Sequence, residues 1–189
     1  MNHRHFILHK PYGYLSQFKY ELKRNKKLLG ALSDFPDGTM AVGRLDEDSE
    51  GLLLLTTDGK VSDFICSSKV DKEYYVQLDG IINQEAINAL KAGVEIGFEG
   101  KKYITKPCQA FIVETVPDFG MRAKKIRDER HGPTSWASIT VNEGKFRQIR
   151  KMTSAVGFPT LRLVRVRIGN IHLNDLKSGN TIEVPELKI

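Results

Sequence analysis

Four carboxylates stand within five residues, at Asp46, Glu47, Asp48 and Glu50. Carboxylates that close repel one another, and a cation or hydrogen-bond donor nearby is needed to keep them ionised. An ionised carboxylate can act as a nucleophile or accept a proton, and a cluster of them can hold a divalent cation. Arg44 precedes Asp46 by two residues. Side chains two apart on one strand run roughly parallel and meet only where the strand turns, so the partner cation is expected from elsewhere in the chain. Two short apolar runs flank the acidic stretch, residues 39–42 before Gly43 and Leu52 to Thr56 after Gly51. Apolar runs of that length bounded by glycine read as buried strands, with a buried helix the weaker alternative. The acidic residues 46–50 are then expected in a strand connection, where a rigid scaffold presents functional groups.

The remaining pattern supplies the elements around that turn. His5 to His9 is an opening strand, and Lys10-Pro11-Tyr12-Gly13-Tyr14 is a tight turn. Phe18 to Lys27 reads as a basic loop, Leu28 to Phe35 as a short helix and residues 36–38 as a turn. Asp58-Gly59 opens a helix to about Cys66, with Thr57 or Asp58 as its cap. Lys72 to Gly80 is a strand with Tyr74, Val76 and Leu78 on one face. A tyrosine on an apolar face is more often core than catalytic. Asn83 to Ala92 is a helix ended by Gly93, and Gln109 to Val116 and Ser135 to Asn142 are strands. The non-periodic basic stretch from Pro117 to Pro133 reads as a surface loop of a length that is usually either functional or disordered. Glu143 opens a helix to about Val156, with Phe146, Ile149, Met152 and Val156 on an apolar face and Arg147, Arg150 and Lys151 on a basic one. Phe158 to Ile168 and Thr181 to Val184 are strands, with a short turn or helix over residues 175–179 between them.

The net charge of +6 is unevenly spread. Residues 1–30 hold seven Lys or Arg against one Glu, residues 31–116 hold eight against fifteen Asp or Glu, and residues 117–170 hold twelve against four. Basic segments around an acidic centre suit a polyanion held while a carboxylate does chemistry. Cys66 and Cys108 stand apart from each other and from any His cluster, which argues for reduced thiols and against zinc. No apolar run reaches membrane-spanning length and residues 1–10 lack a signal-peptide pattern, so a cytoplasmic protein is expected.

Gly43-Arg44-Leu45-Asp46 followed by Ser49-Glu50-Gly51-Leu52-Leu53-Leu54-Leu55 and Asp58-Gly59 closely resembles the signature of the pseudouridine synthases that modify ribosomal RNA. Further matches follow in the family's order: Lys10-Pro11-x-Gly13, Lys72-x-Tyr74, the run Glu143 to Met152, and Leu163-x-Arg165. The resemblance implies that Asp46 is the catalytic carboxylate, that Tyr74 packs on the target base, and that Arg150 pairs with the carboxylate. Arg44 is expected to steady the flipped nucleotide or the vacated RNA. Lys10, Lys72, Arg147, Gln148, Lys151 and Arg165 are the further candidates for holding RNA. The implied fold is α+β, with a mixed, largely antiparallel central sheet split by an active-site cleft and helices on its outer side. Residues 1–189 would form one catalytic domain of two lobes, a monomer without a separate N-terminal RNA-binding module.

The implied reaction breaks the N1–C1′ bond of a uridine, turns the base and joins C5 to C1′. It needs neither cofactor nor metal. The target base must first leave its stack, at a cost of a few kcal/mol. Whether Asp46 attacks the sugar or removes a sugar proton is open at this level. Several rivals compete. A calcium loop starting at Asp46 would need a Glu where Thr57 stands, with helices on either side. A magnesium nuclease would use the clustered carboxylates. A non-catalytic RNA-binding protein would leave Asp46 without a role, and a two-carboxylate glycosidase has no use for the basic ends.

Overall fold

Glu50–Thr56, EGLLLLT, is the strand at the centre of the architecture, and all seven of its residues are buried. In the computed structural model, residues 3–19, 26–67, 70–126 and 129–189 are described. The strands are β1 (His5–Lys10), β2 (Tyr14–Leu15), β3 (Lys27–Leu28), β4 (Met40–Val42), β5 (Glu50–Thr56), β6 (Lys72–Asp79), β7 (Glu95–Phe98), β8 (Lys101–Ile104), β9 (Gln109–Val113), β10 (Thr134–Val141), β11 (Thr160–Ile168), β12 (Ile171–His172) and β13 (Thr181–Val184). The helices are α1 (Gly59–Ser67), α2 (Gln84–Ala92) and α3 (Gln148–Ala155). The fold is α+β, with a mixed, mostly antiparallel central sheet. None of the described helices is long and apolar enough to cross a membrane.

The chain divides into two compact units. The first comprises Met1–Val70, Phe119–Lys124 and Val164–Ile189. Its strands run in the order β13-β1-β5-β11, with β4 on β5 and β12 on β11. β5 pairs antiparallel with β1 and β4, but parallel with β11, where Glu50 lies opposite Val164 and Gly51 opposite Arg165. Gly51 has φ +102°, and a Cβ there would strike the Arg165 carbonyl and come within 2.7 Å of its amide nitrogen. Only glycine combines that backbone conformation with so close an approach. The leucines at 52–55 are wholly buried, each contributing about 1.5–3 kcal/mol of apolar burial. Packed on β4 and β5 is α1, whose first turn is capped by Asp58 Oδ1 accepting from the Lys60 amide at 2.9 Å.

The second unit comprises Asp71–Asp118 and Lys125–Leu163. Its strands run in the order β6-β10-β9, and β7 and β8 form a separate antiparallel hairpin. Val76 and Leu78 from β6, Ala137, Ile139 and Val141 from β10, Ile87 and Leu90 from α2, and Ile149 and Met152 from α3 make its core. Helix α2 is capped by Asn83 Oδ1, which accepts from the Ala86 amide at 2.9 Å, and it stops at Gly93.

Several expected elements change extent. The helix expected over 28–35 is a single 3₁₀ turn, Leu29–Ala31. β9 ends at Val113, three residues short. Glu50 is the first residue of β5, not part of the connection before it. The β7–β8 hairpin has no counterpart in the sequence reading, because only Ile96 of its eight strand residues is buried and no periodicity marks it. The basic loop expected from Phe18 to Lys27 lies largely outside the described residues. Helix α3 begins at Gln148, five residues later than the pattern suggests, since Glu143 to Arg147 form a turn.

Candidate active site

Asp46 lies half-buried at the start of the turn that leads into β5. The turn is fastened from two directions within its unit. Ser16 Oγ donates to the Leu45 carbonyl at 2.7 Å and accepts from the Leu45 amide at 2.9 Å. The Gly13 amide donates to the Glu47 carbonyl at 2.8 Å, and the Ser49 amide donates to the Asp46 carbonyl at 3.0 Å. The Pro-x-Gly turn after β1 therefore clamps the acidic turn through a backbone bond at Glu47, and the Ser16 side chain just after β2 clamps it at Leu45.

The cations that the carboxylate cluster needs do come from distant sequence. Lys26 Nζ donates to both Glu47 oxygens at 2.8 Å. Glu50, only 2% exposed, pairs with Arg122 Nε at 3.4 Å. The same guanidinium donates to the Asp48 carbonyl at 3.4 Å and lies 4.0 Å from the centre of the Tyr12 ring. Arg122 thus touches the turn before β2, the acidic turn and the start of β5. It belongs to the long basic loop, and nothing in the loop's non-periodic sequence singles it out.

Three residues expected to hold RNA lie inside the protein. Lys10 is fully buried, and its ammonium donates to the carbonyls of Pro11 at 3.0 Å and Tyr14 at 2.7 Å. Burial pushes its pKa down to about 7, against the opposing pull of Glu50, Asp48, Asp46 and Glu47. Its work is to close the Pro-x-Gly turn. Arg165 is 2% exposed and donates through Nε to the Leu52 carbonyl at 2.8 Å, tying β11 to β5. Gln148 is 4% exposed; its amide group donates to Glu143 Oε1 at 2.6 Å and accepts from the Lys145 amide at 3.0 Å. The side chains of Lys10 and Gln148 bond within turns, and that of Arg165 bonds between strands. Arg44, by contrast, is exposed.

In the second unit, Tyr74 stands half-buried on β6 opposite Ile139 and packs against that unit's core, and Lys72 stands at the start of the same strand. The Glu143 carboxylate organises the turn into α3. It accepts from the Tyr103 hydroxyl at 2.5 Å, from the Lys106 amide at 3.0 Å and from Gln148. Burial pushes its pKa up, but these three donors outweigh it and hold the group below the usual carboxylate range. Arg147 caps the helix in the left-handed region, φ 54° and ψ 34°, and Phe146 before it is 67% exposed instead of joining the apolar face. Arg147, Arg150, Lys151 and Ser154 line a groove of about 510 Å³ with Glu95 and Gly97 of β7. Lys151 Nζ donates to the Gly97 carbonyl at 2.7 Å.

Within the first unit the fold brings Lys10, Asp46 and the neighbouring carboxylates together, and within the second it brings together Arg147, Gln148, Arg150 and Lys151. Arg122 and Tyr103 were not legible as supports of these turns, because each acts through partners far away in the chain.

Residues 4–155 match the family described as RNA pseudouridylate synthase. The ribosomal large subunit pseudouridine synthase E of Xanthomonas axonopodis pv. citri is 41% identical over 172 residues, covering 90% of this chain and 88% of the relative. The protein of the same name from Vibrio parahaemolyticus is 39% identical over 185 residues, covering 97% of this chain and 74% of the relative. A crystal structure of a pseudouridylate synthase superposes with a TM-score of 0.74 at 27% identity, over 96% of this chain and 70% of that one. With the acidic turn, the Glu143 turn and the sheet all present, the chain belongs to the RNA pseudouridylate synthase family.

Proposed function

We propose that this protein converts a specific uridine of large-subunit ribosomal RNA to pseudouridine, with Asp46 as the catalytic carboxylate. The observation that carries the reading is the setting of Asp46: a half-buried carboxylate on a turn clamped at residues 45 and 47, flanked by Glu47 and Glu50, which have cations of their own. The names of the relatives at about 40% identity support ribosomal RNA of the large subunit as the substrate.

The reaction is an isomerisation. The N1–C1′ bond breaks, the C5–C1′ bond forms, and the proton lost from C5 is balanced by one gained at N1. No electron is transferred and no group departs, so the balance calls for no cofactor or metal. Asp46 serves as nucleophile at C1′ or as base toward a sugar proton, and either role needs it ionised. Arg150 is the cation assigned to keep it so, and Tyr74 the ring assigned to stack on the everted uracil. Arg44, Lys72, Arg147 and Lys151 are assigned to the RNA backbone, where cations contribute salt-dependent affinity. The reading implies a cytoplasmic monomer acting on unpaired nucleotides presented by RNA shape.

The test uses large-subunit ribosomal RNA transcribed with uridine tritiated at C5. The wild type is expected to release tritium and Asp46→Ala to release it at least about a thousandfold more slowly. Release by Asp46→Ala at the wild-type rate, or none by the wild type on free RNA or on ribosomal particles, would overturn the assignment.

A further inference from the structure

Phe146 presents an unusual combination. It is an aromatic ring 67% exposed, next to a non-glycine residue held in the left-handed region. Such a conformation costs on the order of 1–2 kcal/mol and persists only where the surroundings enforce it. Here the enforcement comes from Gln148, locked between Glu143 and the Lys145 amide. The result is that Phe146 leaves the apolar face of α3, where sequence periodicity would put it, and turns toward solvent.

The surroundings of the ring are cationic and aromatic. Lys151 Nζ lies 5.6 Å from its centre. Lys145 Nζ lies 4.8 Å from the Phe98 ring and 5.1 Å from the Tyr103 ring, which meet edge to face at 6.2 Å. Beside them runs the groove between β7 and α3, with Arg147, Arg150 and Lys151 against the single carboxylate of Glu95. An exposed ring beside a groove with three cations to one anion complements a chain that carries both flat bases and phosphates. A duplex hides the faces of its bases, whereas an unpaired nucleotide offers one for stacking.

Resting on the ribosomal RNA reading above, we infer that Phe146 is a stacking platform for an unpaired base of the bound RNA, next to a phosphate-binding groove in which Arg147 and Lys151 along β7 hold the backbone. The β7–β8 hairpin thereby belongs to the RNA-binding surface, with Phe98 and Tyr103 fixing the ammonium of Lys145 beneath it.

The experiment measures affinity for in vitro transcribed, unmodified large-subunit ribosomal RNA with wild type, Phe146→Ala, Phe146→Leu and Phe146→Trp. Alanine substitution is expected to raise Kd about tenfold, within the range for loss of one base–aromatic stack. Leucine keeps apolar bulk without a ring face and should resemble alanine; tryptophan should restore binding. The slope of log Kd against log salt should stay at the wild-type value for Phe146→Ala, because no charge is lost. RNA carrying 5-iodouridine should photocrosslink to the peptide that contains Phe146. Wild-type affinity in Phe146→Ala, or in Phe146→Leu, overturns the platform. Tritium release by the wild type, abolished in Asp46→Ala, tests the underlying reading separately, so the platform can fail while the isomerase assignment stands.

Discussion

Burial sets the charge state of Lys10. Its folded pKa of about 7 lies below the ordinary 10.5. Between those values the unfolded chain binds more protons than the folded one, so stability rises with pH across that window. Below about pH 7 both states are protonated and the full desolvation penalty remains. Urea unfolding at pH 7 and pH 9 should therefore show the wild type gaining about 2 kcal/mol more than Lys10→Met. Equal gains would mean that the ammonium is not held in this way. Arg122 gives the second test at this scale. With Glu50 2% and Arg122 10% exposed, removing one partner leaves a buried charge. Arg122→Ala should lower unfolding free energy by about 3 kcal/mol, and adding Glu50→Gln should recover part of the loss. Denaturant titration of the two variants measures both. Motif spacing singled out Asp46 as a candidate, but it could not distinguish motif residues that reach the surface from those, like Lys10, Gln148 and Arg165, that are buried. That distinction depends on burial, which a one-residue pattern does not encode.

Element boundaries were legible wherever a local bond fixes them. Asp58 and Asn83 mark the starts of α1 and α2 because each side chain accepts from a first-turn amide, a choice written in the adjacent sequence. Helix α3 is different. Its start is decided by Glu143 bonding Tyr103 and Gln148, and Tyr103 is forty residues away. The periodicity of Phe146 with Ile149 and Met152 is real but belongs to a helix that begins too late to include the first of them. Arg147→Gly should relieve the left-handed backbone and raise unfolding free energy by up to about 1 kcal/mol, while weakening RNA binding through loss of a cation from the groove. Thermal unfolding and filter binding on the one variant should move in opposite directions. A fall in both would show that the strain is not stored at this residue.

The net charge of +6 and its concentration outside residues 31–116 act at the scale of the whole molecule. If about four phosphates are neutralised on single-stranded RNA, log affinity falls with log salt at a slope near −3, and raising salt fourfold should weaken binding about fiftyfold. Filter binding between 50 and 200 mM salt, as order-of-magnitude conditions, reads that slope. A slope near zero would remove the electrostatic account of the basic segments. Sheet order and the parallel pairing of β5 with β11 were beyond sequence, since pairing is a property of distant strands and no local signal records it. One point of that pairing also limits how the gene can vary. The approach of Gly51 to Arg165 leaves no room for a Cβ, and every amino acid reachable from a glycine codon by one base change carries one. Position 51 therefore has no gradual route to another residue. A missense mutation in that codon must force β5 and β11 apart, and the loss would fall on the strand that starts directly after the acidic turn.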